Sequence, residues 1–390
     1  MEVALPSLLD NDFYKFTMQK GVIELFPHAK ARYEFINRGK HQFPAGFAEQ
    51  LRQAIKQMAQ LKLSSAEKKF LTDNCPYLDP VYLDFLQGYC YNPDEIRIDQ
   101  HGSELFISVE GHWYRTILWE VPLMSIICEL YYKMTGAARI SDDEVIERTA
   151  SKIENFKKLD VKVAEFGTRR RHSYAVHNLV MRALKQYGDG SFVGTSNVHL
   201  AMKYQTKPIG THAHEWFMFH AARFGYKEAN HLGLQHWVDV YRGDLGIALS
   251  DTYTTDVFIN QFDKMFSKLF DGVRHDSGDP IVFAEKMIRH YQHMGIDPLS
   301  KTIIFSDALN YDKVARITDY CRGKIGMSFG IGTNLTNDAG PKALNIVIKM
   351  SATRPANEHW INVVKLSDEP GKYTGDADAI ALAKTILQIR

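Results

Sequence analysis

VKVAEFGTRRR, residues 161–171, is an apolar run of strand length that stops at glycine, threonine and three arginines. The same design recurs in SFVGTSN (191–197), KPIGTHAHE (207–215), LGIALSD (245–251) and GVRHDSGD (272–279). It returns in TIIFSDALN (302–310), GMSFGIGTN (326–334) and LNIVIKM (344–350). Most of the gaps carry helical periodicity, as in Val176, Leu179, Val180 and Ala183, or Ala284, Met287, Ile288 and Tyr291. Short apolar strands alternating with amphipathic helices predict an α/β fold. Eight such units within residues 161–350 are the pattern of a (β/α) barrel. An open doubly wound sheet is the competing parse, because periodicity cannot close a barrel. In both, chemistry belongs where the strands end.

The first 140 residues have a different texture. ARYEFI (31–36) alternates like a half-buried strand, and Phe47, Leu51, Ile55 and Met58 recur at helical spacing. IRIDQHGSELFISV (96–109) reads as a hairpin about a glycine turn, and Pro122 suits the first turn of a helix through LMSIICELYYKM. Asp10 or Asn11 offers a cap for a helix at DFYKFTM, and Ser141 with Glu144 has the spacing of a capping box. The expected organisation is an N-terminal α+β domain over 1–140, rejoined by the segment 351–390, and an α/β barrel domain over 141–350.

Basic and acidic side chains balance at 47 against 46, so nothing global favours nucleic acid or an anionic membrane. Four scattered cysteines (Cys75, Cys90, Cys128, Cys321) make no C-x-x-C and suit free thiols in a reducing compartment. The chain opens without a signal-peptide pattern, and its most apolar stretch is interrupted by Glu129. A cytoplasmic protein is expected.

At the strand ends lie Phe166, Thr168 and Arg169; Thr195, Ser196 and Asn197; Thr211, His212, His214 and Glu215; and Ser250 with Asp251. Arg274, Asp276, Ser277 and Asp279 follow, then Ser306 and Asp307, then Gly330, Gly332 and Thr333. Fixed cations, carboxylates and a glycine turn before a polar segment suit a phosphorylated substrate with Mg²⁺. Each has a plainer reading: glycines serve close packing, RRR serves a solvated helix start, and an aspartate caps the next helix. His212 and His214 leave three possibilities open. They form a metal pair, they are structural, or one is a nucleophile or acid–base group oriented by Asp251.

LLDNDFYKFTM, FGTRRR, GTSN, GTHAHEW, RHDSGDP, FSDALN, FGIGTNLTND and LNIVIKM…VKLSD resemble nicotinate phosphoribosyltransferase in order and spacing, from residue 8 to 368. The resemblance implies an N-terminal α+β domain joined to an irregular α/β barrel. It implies a ligase-class enzyme of NAD salvage making nicotinate mononucleotide and pyrophosphate from nicotinate and phosphoribosyl pyrophosphate (PRPP), coupled to ATP hydrolysis. Mg²⁺ and a homodimer with shared sites are also implied. By resemblance, His214 is the histidine phosphorylated by ATP. Arg274 contacts the ring and carboxylate, with Thr211 beside it, and Phe166 stacks on the pyridine opposite Tyr14 from the partner subunit. Arg169 binds phosphate, Asp276 and Asp307 lie near the ribose hydroxyls and the metal, and Gly330, Gly332 and Thr333 cradle the 5′-phosphate. A neutral Ser196 suits a carboxylate substrate where the related nicotinamide enzyme has aspartate.

Overall fold

The computed structural model describes residues 3–356, 359–369 and 371–389. Strands β1 (Lys30–Asn37), β2 (Ile96–His101) and β3 (Glu104–His112) come first. β4 (Val163–Glu165), β5 (Phe192–Thr195), β6 (Ile247–Leu249), β7 (Gly272–His275), β8 (Thr302–Phe305) and β9 (Gly326–Ile331) follow. β10 (Ile346–Arg354) and β11 (Ile361–Asn362) end the series. β4 to β9 make a parallel sheet ordered β5-β4-β9-β8-β7-β6; the others make an antiparallel sheet ordered β11-β10-β1-β3-β2.

Two of the eight expected units behave differently. LNIVIKM supplies the first half of β10, which pairs antiparallel with β1, Phe35 opposite Ile348 and Ile36 opposite Val347. An apolar run of that length suits either sheet, and pairing across three hundred residues leaves no local mark. KPIGTHAHE forms no ladder, only a bridge from Pro208 to Thr195. Proline has no N–H to donate, and the chain must turn into a helix at His214. The segment nevertheless spans both edge strands. The Ile209 N–H donates to the Thr195 carbonyl at 2.9 Å. Thr211 Oγ1 donates to the Ile247 carbonyl at 3.1 Å, and the Leu249 N–H donates to His212 Nε2 at 3.1 Å. The ladder of the parallel sheet thus stays open between β5 and β6, and this segment bridges the gap by backbone bonding to β5 and two side-chain bonds to β6.

The expected hairpin forms around Gly102, whose φ of +60° asks for glycine. The Ser141 side chain accepts from the Glu144 N–H, but Glu144 turns to Arg148 instead of completing the box. Neither Asp10 nor Asn11 caps the helix Phe13–Leu25; its N-cap is Asp12, without a side-chain cap bond. Asp10 instead pairs bidentately with Arg171, and Asn11 donates to the Leu118 carbonyl. Both are buried, where an ion pair or a carbonyl partner is the stronger demand.

The helix His214–Phe224 is buried along its first eight residues. Trp113 packs on Phe219 with centroids 4.4 Å apart, and Phe26 on Phe219 at 4.6 Å, fastening this helix to the N-terminal region. That packing fixes where His214 emerges. Among the described residues no helix is long and apolar enough to cross a membrane. Cys75, Cys128 and Cys321 are buried free thiols, and Cys90 is an exposed one.

Candidate active site

A cavity of about 580 Å³ opens over the C-terminal ends of the parallel strands, walled on its far side by β10. Nine of the residues given a role by the resemblance line it: Tyr14, Phe166, Arg169, His214, Arg274, Asp276, Gly330, Gly332 and Thr333. Asp251 sits just behind the wall; Thr211 and Asp307 do not line it.

His214 is the first residue of its helix, with Ala213 extended before it. Its Nε2 lies 3.0 Å from Asp276 Oδ2 and 3.9 Å from Asp251 Oδ1, while Nδ1 lies 3.0 Å from Thr252 Oγ1. Asp276, not Asp251, is thus its direct carboxylate partner. Burial, with Lys365 nearby, pushes the His214 pKa down to about 4, against the opposing pull of Asp251 and Asp276. Burial alone would raise the Asp276 carboxyl, but Arg274 and the His214 contact hold it well below the usual range. The pair is therefore a neutral imidazole donating from Nε2 to an ionised carboxylate, which leaves the lone pair on Nδ1. Ser306 donates to the other Asp276 oxygen at 2.8 Å and fixes its angle.

His212 points elsewhere. It is fully buried, accepts the Leu249 N–H, and packs edge-on against Trp237 and Phe217. The metal-pair reading of the two histidines fails, because the helix begins between them and turns His214 towards the acids. His214, Asp251 and Asp276 are the one group of described residues whose ligand atoms lie close enough, within 4.8 Å, to share an ion.

Arg274 donates from Nη1 to the His212 carbonyl at 3.3 Å and lies 3.9 Å from Asp276. Its Nε is buried without a hydrogen-bond partner, a donor left for a ligand. The arginine run divides by role. Arg169 and Arg170 line the cavity, whereas Arg171 is spent on Asp10. Arg169 lies 3.2 Å from Glu120, which shares the buried Lys15 with Glu215; Lys15 reaches each carboxylate at 2.6 Å.

Tyr14 lines the cavity of its own chain. The Phe13 N–H donates to the Ser196 carbonyl at 2.7 Å, pinning the helix start to the end of β5. A Cβ at Gly210 would sit 2.9 Å from the Tyr14 nitrogen, so glycine there admits the approach. Ser196 is not part of the cavity lining. It is buried, and its hydroxyl donates at 2.7 Å to Asp12, which does line the cavity. An acid therefore stands beside GTSN after all, supplied from another part of the chain. Burial raises its pKa, with Arg169 opposing from 4.0 Å.

Glycines at the end of β9 serve packing as well as access. A Cβ on Gly330 would meet the Phe166 ring at 3.3 Å, and one on Gly332 the Phe166 carbonyl at 3.3 Å. Thr211 donates to Ile247 and its carbonyl accepts from Thr17, so it serves the bridge to β6. Asp307 pairs with Lys372 at 3.4 Å.

Lys349 and Lys365, not among the residues expected from the sequence, also line the cavity, and Lys365 Nζ lies 3.9 Å from Asp251 Oδ2. Burial pushes the Lys349 ammonium down to about 8. Their signal was available: each is a lone lysine inside an apolar strand-like run, IVIKM and VVKLSD.

Such a cleft, with cations facing carboxylates at the ends of parallel strands and two aromatic rings in its lining, defines an α/β protein built for an anionic, phosphate-bearing ligand. The chain matches the nicotinate phosphoribosyltransferase (NAPRTase) family over residues 161–390 and that family's N-terminal domain over 9–128. It is 61% identical over 385 residues to a nicotinate phosphoribosyltransferase of Chromohalobacter salexigens, covering 99% of each chain. A relative of the same name from Desulforapulum autotrophicum is 47% identical over 98% of this chain and 99% of its own. The crystal structure of nicotinate phosphoribosyltransferase from Porphyromonas gingivalis superposes with a TM-score of 0.97 at 45% identity, covering 99% of this chain and 100% of the other. The chain belongs to the nicotinate phosphoribosyltransferase family.

Proposed function

We propose that this chain condenses nicotinate with PRPP to nicotinate mononucleotide and pyrophosphate, and that it couples this to ATP hydrolysis through phosphorylation of His214. One observation carries the reading. A neutral histidine at a helix N-terminus, held by Asp276 and Thr252, shares a cavity with an arginine whose Nε has no partner.

Phe166 and Tyr14 bind the electron-poor pyridine, and Arg274 grips its carboxylate by charge-assisted hydrogen bonds. The pyridine nitrogen attacks C1′ of PRPP while the C1′–O bond to pyrophosphate breaks and the leaving group takes the electron pair. Arg169, Lys349 and Lys365 face the phosphates and lower the cost of that charge. The protein mainly aligns the reactants, since little proton transfer is needed. Asp276, which lines the cavity, would hold Mg²⁺, and the ion would supply charge neutralisation for the pyrophosphate.

In the ATP half-reaction the imidazole attacks the γ-phosphorus, the bond to ADP breaks and ADP leaves with its electrons. The attack comes from Nδ1 as the Thr252 contact gives way, and Nε2 keeps its proton, donated to Asp276 Oδ2, throughout. Water later removes the phosphoryl group as inorganic phosphate and resets the site. The added charge beside Lys365 orders the cavity for PRPP. The proposed assembly is a homodimer, the proposed setting a reducing cytoplasm, and the product feeds NAD synthesis. The test mixes nicotinate, PRPP and Mg²⁺ with and without ATP, with nicotinamide as control. Nicotinate mononucleotide, raised by ATP and accompanied by ADP, is the expected product; none with nicotinate would overturn the reading.

A further inference from the structure

His214 is oriented by residues that are themselves held by something. Thr252 faces its Nδ1 and Asp251 its Nε2 side, and both belong to the loop after β6. That loop carries Thr254 at φ +73° and ψ 149°, a conformation costly for a β-branched residue. A strained turn beside a reactive group persists only where its surroundings hold it.

The holding comes from the strand-like strap 363–368. The Leu366 N–H donates to the Thr252 carbonyl at 2.9 Å. The Asp368 carboxylate takes both donors of Thr255, the N–H at 2.8 Å on Oδ1 and the hydroxyl on Oδ2. Its own N–H donates to Ser277 Oγ at 3.2 Å, and the Ser277 hydroxyl donates in turn to Asp251 Oδ2. Asp251 is thereby turned so that its remaining oxygen, free of hydrogen bonds, faces His214. Gly278, at φ +82°, lets the strap come close: a Cβ there would lie 3.0 Å from the Asp368 Cβ. Ser277 is 1% exposed, and neither it nor Asp368 lines the catalytic cavity. They border a separate open cavity of about 660 Å³ on the other side of the loop.

We propose that Ser277 and Asp368 are positioning residues for the phosphorylation of His214, acting through Asp251 and through Thr252. One strap thus sets both sides of the imidazole. The proposal rests on the reading of His214 as the phosphoacceptor.

The test measures the rate of phosphohistidine formation from labelled ATP, alongside the KM for nicotinate, in Ser277→Ala, Asp368→Ala and Asp368→Asn. Loss of either anchor misaligns the nucleophile, so the phosphorylation rate is expected to fall about 10- to 100-fold in both alanine variants. Asparagine keeps an acceptor for the Thr255 N–H and is expected to restore most of the rate. The KM for nicotinate is expected to stay within about twofold, since Arg274, Tyr14 and Phe166 are held by other elements. Adding Ser277→Ala to Asp251→Asn is expected to cost nothing further, because the serine acts through that carboxylate.

Additive losses in that double variant, or wild-type phosphorylation in folded Ser277→Ala, would overturn the proposal and leave His214 as phosphoacceptor. An unlabelled wild-type protein would bring down the phosphoacceptor reading, and this proposal with it. Should Asp368→Ala not fold, Ser277→Ala and Asp368→Asn still decide.

Discussion

Replacing Arg274 by alanine isolates the recognition of the substrate carboxylate. The guanidinium offers a buried Nε with no partner, and its Nη1 is only weakly used, at 3.3 Å from the His212 carbonyl. A hydrogen bond to a charged group contributes about 1.5–3 kcal/mol, so losing a bidentate grip costs about 3 kcal/mol after solvent compensation. That corresponds to a rise of about 100-fold in the KM for nicotinate. Nicotinamide carries no carboxylate to pair, so its weak use should change little and the preference for the acid should collapse. Asp276, 3.9 Å away, also loses a cation, which confounds kcat. Arg274→Lys separates the effects, because it keeps the charge but not the planar fork; its KM should rise about tenfold. Initial rates over a nicotinate series, at saturating PRPP and ATP, give both constants. A KM for nicotinate unchanged in Arg274→Ala, or equal losses for acid and amide, would refute the role.

Three further outcomes follow from the charge environment. Burial holds His214 near 4, so it is neutral across pH 5–8, and ATP-driven phosphorylation should stay flat there and fall only below about 5. An apparent pKa near 6.5 in that rate would show the imidazole to be solvated instead. Lys349 is held near 8, so raising the pH from 7 to 9 removes its charge and should raise the KM for PRPP several-fold. Lys349→Arg should flatten that dependence. Arg171→Ala strands a buried Asp10 and should cost about 3–5 kcal/mol of stability, read as a lowered denaturation midpoint, whereas Arg169→Ala should chiefly weaken PRPP binding.

The strand-end pattern was legible because parallel strands are short and apolar, and their polar ends stand out against them. It placed Arg274, Asp276, His214 and Phe166 around one opening. What it could not show was set by pairing over distance. β10 looks like any buried strand, yet its partner is β1, and that pairing brings Lys349 to the cavity. Arg169 and Arg171 are indistinguishable in a run of three; only the fold puts Asp10 beside one and the cavity beside the other. Nothing in GTSN shows that the Ser196 hydroxyl donates to Asp12, which stands 184 positions away in the chain. Asp251 ranked as the orienting carboxylate because it ends a neighbouring strand, and the side-chain geometry gives Asp276 the shorter contact.

The proposed mechanism turns on His214 carrying a phosphoryl group during turnover. The direct measurement incubates the protein with γ-labelled ATP, quenches in alkali, where phosphohistidine survives, and maps the label by peptide. Label is expected on the peptide containing His214, lost on acid treatment, lost on adding nicotinate and PRPP, and absent from His214→Ala. Full ATP stimulation of nicotinate mononucleotide synthesis in His214→Ala, or label on another residue, would contradict it.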